Sequence, residues 1–242
     1  MRGVIRSEML RSISGPSVLA VYLVAVLVPA FVLLSDGSRF DLTGVDPATA
    51  TARLLQPLAW TAISAAFVGS YSVTREYYYG SMDRSLTGLG LRRAFVGKLI
   101  AGVLTALALS ACIFVIWTAG VSFFLTRDGL ALVLTGETWR SYAGALAGSV
   151  LGALMGSAIG WATRNYYTTA IIVLVFPLAV EFALLRNTPE VARFSPGLAL
   201  VAMSVPQYQG RLLAFAPALG VGLAWTLGLM AVAWFWRRRS VA

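Results

Sequence analysis

Long uninterrupted apolar runs, separated by short segments rich in arginine, glycine and proline, set the pattern of this chain. A bilayer core of about 30 Å is crossed by roughly 20 apolar residues in helical form. Six stretches meet that requirement, at residues 18–34, 54–73, 99–125, 142–162, 167–185 and 212–236. They are continuous rather than alternating, so they do not read as strands of a membrane barrel. The first run is longer than the core of a signal peptide and no A-x-A site follows it, so it reads as a retained span. The pattern predicts an all-α integral membrane protein with six transmembrane helices in one domain covering residues 1–242.

The polar positions orient those spans. With the N-terminus in the cytoplasm, the inner segments hold Arg2, Arg6, Arg11, Arg75, Arg84, Arg92, Arg93, Lys98, Arg164, Arg237, Arg238 and Arg239. Those 12 bases face only 3 acids (Glu8, Glu76, Asp83), whereas the remaining segments carry 7 of each. The bias places both termini inside. Trp60, Trp139 and Tyr142 are expected at the outer interface, and Tyr77, Tyr78, Tyr79, Trp161, Tyr166, Trp234 and Trp236 at the inner one.

Composition narrows the class. Apolar residues make up 58% of the chain and charged ones 12%, against about 45–50% and about 25% in soluble domains. The net charge of +9 is therefore an orientation signal rather than a nucleic-acid footprint. Cys112 is the single cysteine, so no disulfide forms within the chain. The absence of histidine excludes His-dependent nucleophilic or metal chemistry here.

Several segments depart from plain spans. In the N-terminal tail, Ile5, Met9 and Ile13 recur every four residues with Leu10 beside them, which predicts either an interfacial helix on the inner surface or a frayed basic tail. The stretch 35–53, with Asp-Gly and Asp-Pro turn signals, reads as a surface loop. Residues 186–211 are broken by Pro189, Pro196 and Pro206 yet contain the apolar run 198–205, which fits a re-entrant or interfacial piece on the outer side. Gly144, Gly148, Gly152, Gly156 and Gly160 form a smooth stripe along the fourth span. Such a stripe serves either static close packing or an adjustable helix interface. Glu181 is the one acid inside a span, with Pro177 a turn earlier. With Pro196 and Gly197 it is a candidate outer gate or contact for a cationic substrate, unless it pairs with Arg186 or Arg193.

The richest inner segment is residues 72–98. Gly80 breaks the helix continuing from the second span, Ser81 is placed to cap a new one, and Asp83 suits its first turn. Met82, Leu86 and Leu89 share a face, and Gly88 and Gly90 are expected to end the helix. The result would be a short helix along the membrane, presenting apolar and charged residues to the cytoplasm.

The run Glu76, Gly80, Ser81, Arg84, Leu86, Arg92, Arg93 and Lys98 resembles the cytoplasmic loop of ABC-2 type transporter permeases. Gly90 and Leu91 stand where that family often has proline. The resemblance implies that residues 80–89 are a coupling helix that docks on a separate ATPase. Gly80, Ser81, Met82, Asp83, Arg84, Leu86 and Leu89 would form that surface, with Glu76, Arg92 and Lys98 flanking it. The chain has no G-x-x-x-x-G-K-[ST] motif, so ATP and magnesium would be bound by the partner and no cofactor by this chain. Two ATPase subunits and a second permease copy or paralogue would complete an exporter of amphipathic cargo (drug, antibiotic, peptide or lipid-like) in a bacterial cytoplasmic membrane. The competing readings are an ATP-independent channel or secondary transporter, and a membrane anchor or assembly subunit.

Overall fold

A computed structural model describes residues 2–12, 16–34, 42, 44–206 and 210–241. Among the described residues every regular element is helical, and the chain is an all-α membrane protein. Four helices are long and apolar enough to cross a bilayer: Leu91–Arg127, Gly136–Thr163, Tyr166–Asn187 and Phe215–Arg239. They correspond to the third to sixth expected spans: the third starts eight residues earlier than expected, the fourth and fifth are longer at both ends, and the sixth starts and ends three residues later.

The elements run α1 (Arg2–Ser12), α2 (Pro16–Leu34), α3 (Pro47–Leu55), a tight 3₁₀ turn (Gln56–Trp60), α4 (Thr61–Tyr78), α5 (Met82–Leu89), α6 (Leu91–Arg127) and α7 (Gly136–Thr163). After α8 (Tyr166–Ala170) come a widened π-helical stretch (Ile171–Glu181), α9 (Phe182–Asn187), α10 (Pro189–Ala192), α11 (Pro196–Ser204) and α12 (Phe215–Val241). Two of these differ from expectation. The second apolar run is not one straight helix, because Pro57 has no N–H for the ladder and the backbone tightens over Gln56–Trp60 before α4 begins. The Asp-Pro pair expected in a surface loop instead starts α3: the Thr49 N–H donates to Asp46 Oδ2 at 2.9 Å, and Pro47 fits the first helical position. The rest of that loop lies largely outside the described residues.

The Gly stripe makes α7 the axis of the bundle. A Cβ on Gly152 would lie 2.3 Å from the Ala62 carbonyl oxygen, and one on Gly156 would lie 1.8 Å from that of Ala66. Gly69 of α4 meets Ala153 in the same way, at 2.3 Å from its carbonyl oxygen. Gly144 backs onto the Met203 carbonyl of α11, Gly148 onto Leu200, and Gly160 onto Ser70 and Thr74. The stripe is thus an intrachain seam with α4 and α11, where small residues bring backbones together. Hydroxyls stitch the seam: Ser157 Oγ donates to the Gly69 carbonyl at 3.0 Å, and Ser204 Oγ to the Ser141 carbonyl at 2.8 Å. Ser64 Oγ ties α4 to α2 through the Ala25 carbonyl at 2.6 Å.

Two of the expected interface aromatics are core residues. Trp161 is 1% exposed and Trp60 5%, the latter edge-on to Phe182. Trp139, Trp236, Tyr78 and Tyr79 are exposed, as a membrane-interface position requires. Within the segment 186–211, whose residues 207–209 lie outside the described ones, α11 is buried from Gly197 to Ser204 against α7 and α12. Arg237 near the end of α12 lies over the Tyr77 ring, while α1 packs on α6, so both termini lie at one end of the bundle.

Candidate functional site

The end that carries the termini also carries the chemistry. α4 stops at Tyr78 because Gly80 adopts φ +63°, which lets the Ser81 N–H reach back to the Glu76 carbonyl at 2.9 Å. Ser81 takes the expected N-cap position but makes no side-chain capping bond; its backbone is helical rather than extended. Asp83 lies in the first turn of α5. Gly88 stays helical, and Gly90, at φ +75°, both ends α5 and starts α6. A positive-φ glycine thus makes this turn.

The expected outward apolar face is corrected by the packing. Met82 is buried and Leu86 and Leu89 are half-buried. Met82 joins a cluster with Phe95 of α6, Trp161 of α7 and Ala233 of α12. The Phe95 ring lies 5.3 Å from Trp161 and 5.3 Å from Trp234. An eight-residue helix cannot hold itself in water, so its apolar side packs inward. Gly80, Asp83, Arg84, Thr87 and Arg92 remain exposed and Ser81 is half-buried.

Beside α5 lies a buried ion cluster. Lys98 Nζ lies 2.8 Å from Glu8 Oε2 and 2.9 Å from Glu76 Oε1, with the side chain 1% exposed. It also donates to the Ser72 carbonyl at 3.3 Å. Arg11 reaches Glu76 Oε1 at 2.6 Å and Glu8 Oε1 at 3.2 Å, and Arg75 donates to the Arg11 carbonyl. Lys98 and the half-exposed Arg11 thus bridge Glu8 and Glu76 and join α1, α4 and α6. Mutual pairing is what permits such burial. The charge pattern brings Glu8, Arg11, Glu76 and Lys98 to this end but does not predict that they pair. The available signal was an acid with a base three residues on, in an otherwise basic tail. The tail is a helix, yet Met9 and Leu10 are exposed, and Glu8 marks the buried side. Ile13 lies outside the described residues.

At the opposite end, Glu181, Pro196 and Gly197 come together. Glu181 is 0% exposed, and its carboxylate accepts the Gly197 N–H at 3.2 Å and the Leu198 N–H at 3.0 Å. Pro196 opens α11, so the carboxylate satisfies the free N–H groups of that helix. A Cβ on residue 197 would lie 2.3 Å from Glu181 Oε2, so a larger residue there would displace the carboxylate. Neither candidate arginine takes the carboxylate: Arg193 pairs with Glu190 at 2.7 Å, and Arg186 lies over the Phe182 ring. In this conformation Glu181 holds α11 in the bundle and is closed to a solute.

Comparison with known protein families, characterised proteins and solved structures finds no match to this chain.

Proposed function

We propose that the chain is the permease subunit of an ATP-driven exporter of the ABC-2 type, working with a separate ATPase that docks on α5. In this reading α2 and the kinked segment containing α4 supply two further spans, both termini are cytoplasmic, and two permease chains complete the pathway in a bacterial cytoplasmic membrane. The observation that carries it is the construction of α5. It is bounded by two positive-φ glycines, exposes Asp83, Arg84 and Thr87, and seats Met82 on an aromatic layer shared by α6, α7 and α12. A displacement imposed on α5 is delivered to those helices together, because packed interiors transmit strain.

The test is copurification with a soluble ATPase followed by flux in liposomes. Charge reversal at Asp83 and Arg84, or deletion of residues 80–89, is expected to abolish association and ATP-dependent transport. Stoichiometric association that survives the deletion overturns the docking assignment. Flux without the ATPase would identify a channel or secondary transporter, and association without any flux an anchor or assembly subunit.

A further inference from the structure

A cleft of about 800 Å³ opens at the end of the bundle opposite the termini, between the end of α3 and the start of the 3₁₀ turn, the first turns of α7, the end of α11 and the start of α12. Its walls are mainly apolar, with Leu55, Met203, Val205 and Phe215 among them. Its charged groups lie on one side, where Glu137 and Arg140 stand one turn apart on α7 with Ser141 beside them, while Gln56 and Ser204 place polar groups on other walls. Both charged side chains are exposed, and among the described residues neither has an ion-pair partner. The adjoining Trp139, 60% exposed, and Tyr142 pack with ring centroids 5.7 Å apart, aromatic residues of the kind enriched at a membrane interface.

The walls are fixed independently of any ligand. Gly144 presses on the Met203 carbonyl and Ser204 Oγ donates to the Ser141 carbonyl, locking α11 to α7 along the cleft floor. Preformed concave sites of about 300–1,000 Å³, mostly apolar with a few convergent polar groups, are the usual form of small-ligand sites. One negative and one positive side chain at the mouth select a head group bearing both charges, and the apolar wall selects a chain attached to it. We propose that this cleft binds a zwitterionic single-chain amphiphile of the lysophospholipid type, head group at Glu137 and Arg140 and chain along Val205 and Phe215. The proposal does not depend on an ATPase.

The test uses the full chain alone in liposomes, with lysophosphatidylcholine carrying a diazirine in its chain and labelled peptides mapped by mass spectrometry. Labelling is expected on the segments around Ala52, Val205 and Phe215, well above that on the bilayer-type face of α6 at Val115, Ile116 and Phe123, all exposed. Ala143 lines the cleft and is exposed, so Ala143→Trp fills it without entering the core. That variant should lose about tenfold of the cleft labelling while labelling of α6 stays constant, the latter showing that the protein is folded and inserted. The double variant Glu137→Gln, Arg140→Gln should cut labelling severalfold, and a diazirine fatty acid lacking the zwitterion should label the cleft weakly. Cleft labelling no stronger than that of α6, or unchanged in Ala143→Trp, overturns the site. Equal labelling by the fatty acid overturns the head-group assignment. All of these outcomes are independent of whether an ATPase associates or transport occurs.

Discussion

Lys98, the single lysine of the chain, is flanked by Glu8 from α1 and Glu76 from α4 and is almost wholly shielded from solvent. Removing one member of such a set leaves an uncompensated buried charge, at about 3–5 kcal/mol, whereas removing opposite charges together costs far less. Lys98→Met is therefore expected to lower the thermal unfolding midpoint in detergent sharply. Glu8→Gln combined with Lys98→Met should recover much of the loss, because Arg11 still neutralises Glu76. Protease cleavage after Arg11 should rise in the single variant and fall back in the double. An unchanged midpoint in Lys98→Met would mean that the cluster does not close around the ammonium.

At the scale of elements, the α7 seam separates glycines that are spatially required from those that are not. Gly152 and Gly156 face backbone carbonyls of α4, which cannot swing aside as a side chain would, whereas a Cβ on Gly120 of α6 meets open space. Gly156→Ala is expected to destabilise by about 1–3 kcal/mol through overpacking. Gly120→Ala should be neutral or slightly stabilising, because alanine has the higher helix propensity. Equal midpoints for the two variants in detergent unfolding would show that α4 and α7 do not meet along this stripe. How much of an element could be read in advance follows from what defines it. The break at Gly80, the extent of α5 and the turn at Gly90 are local backbone events, and their glycines announce them. The four-residue glycine spacing likewise announces a close approach, though not to which helix. The inward turn of Met82 and Leu86 was not legible, because a short amphipathic face reads the same whether its apolar side meets a partner or the chain's own aromatics. Nor was the meeting of Glu8 with Lys98, since opposite charges 90 positions apart have no local spacing rule to pair them. Asp46–Pro47 fits both a turn and a cap followed by a first helical residue, and only the packing of Ala50, Leu54 and Leu55 decides for the helix.

For the whole molecule, the arrangement of charge predicts sidedness. Of the 19 Lys and Arg residues, 12 belong to the segments assigned to the end that carries the termini and 7 to the remaining segments. A lopsided arginine distribution fixes which end stays in the cytoplasm. The decisive segments are α2 and the kinked stretch through α4. If both cross, Thr49 lies outside, Arg84 inside and Asp128 outside again; if neither crosses, Thr49 and Arg84 share one side. Cysteines placed singly at Thr49, Arg84, Asp128, Glu190 and Arg239, all exposed positions, in a Cys112→Ala background can be probed with a membrane-impermeant maleimide on intact cells. Thr49→Cys, Asp128→Cys and Glu190→Cys are expected to react at once, and Arg84→Cys and Arg239→Cys only after permeabilisation. Reaction of Arg84→Cys on intact cells would place α5 outside. No cytoplasmic ATPase could then reach it, and the same arginines would have to be explained by something other than the positive-inside bias.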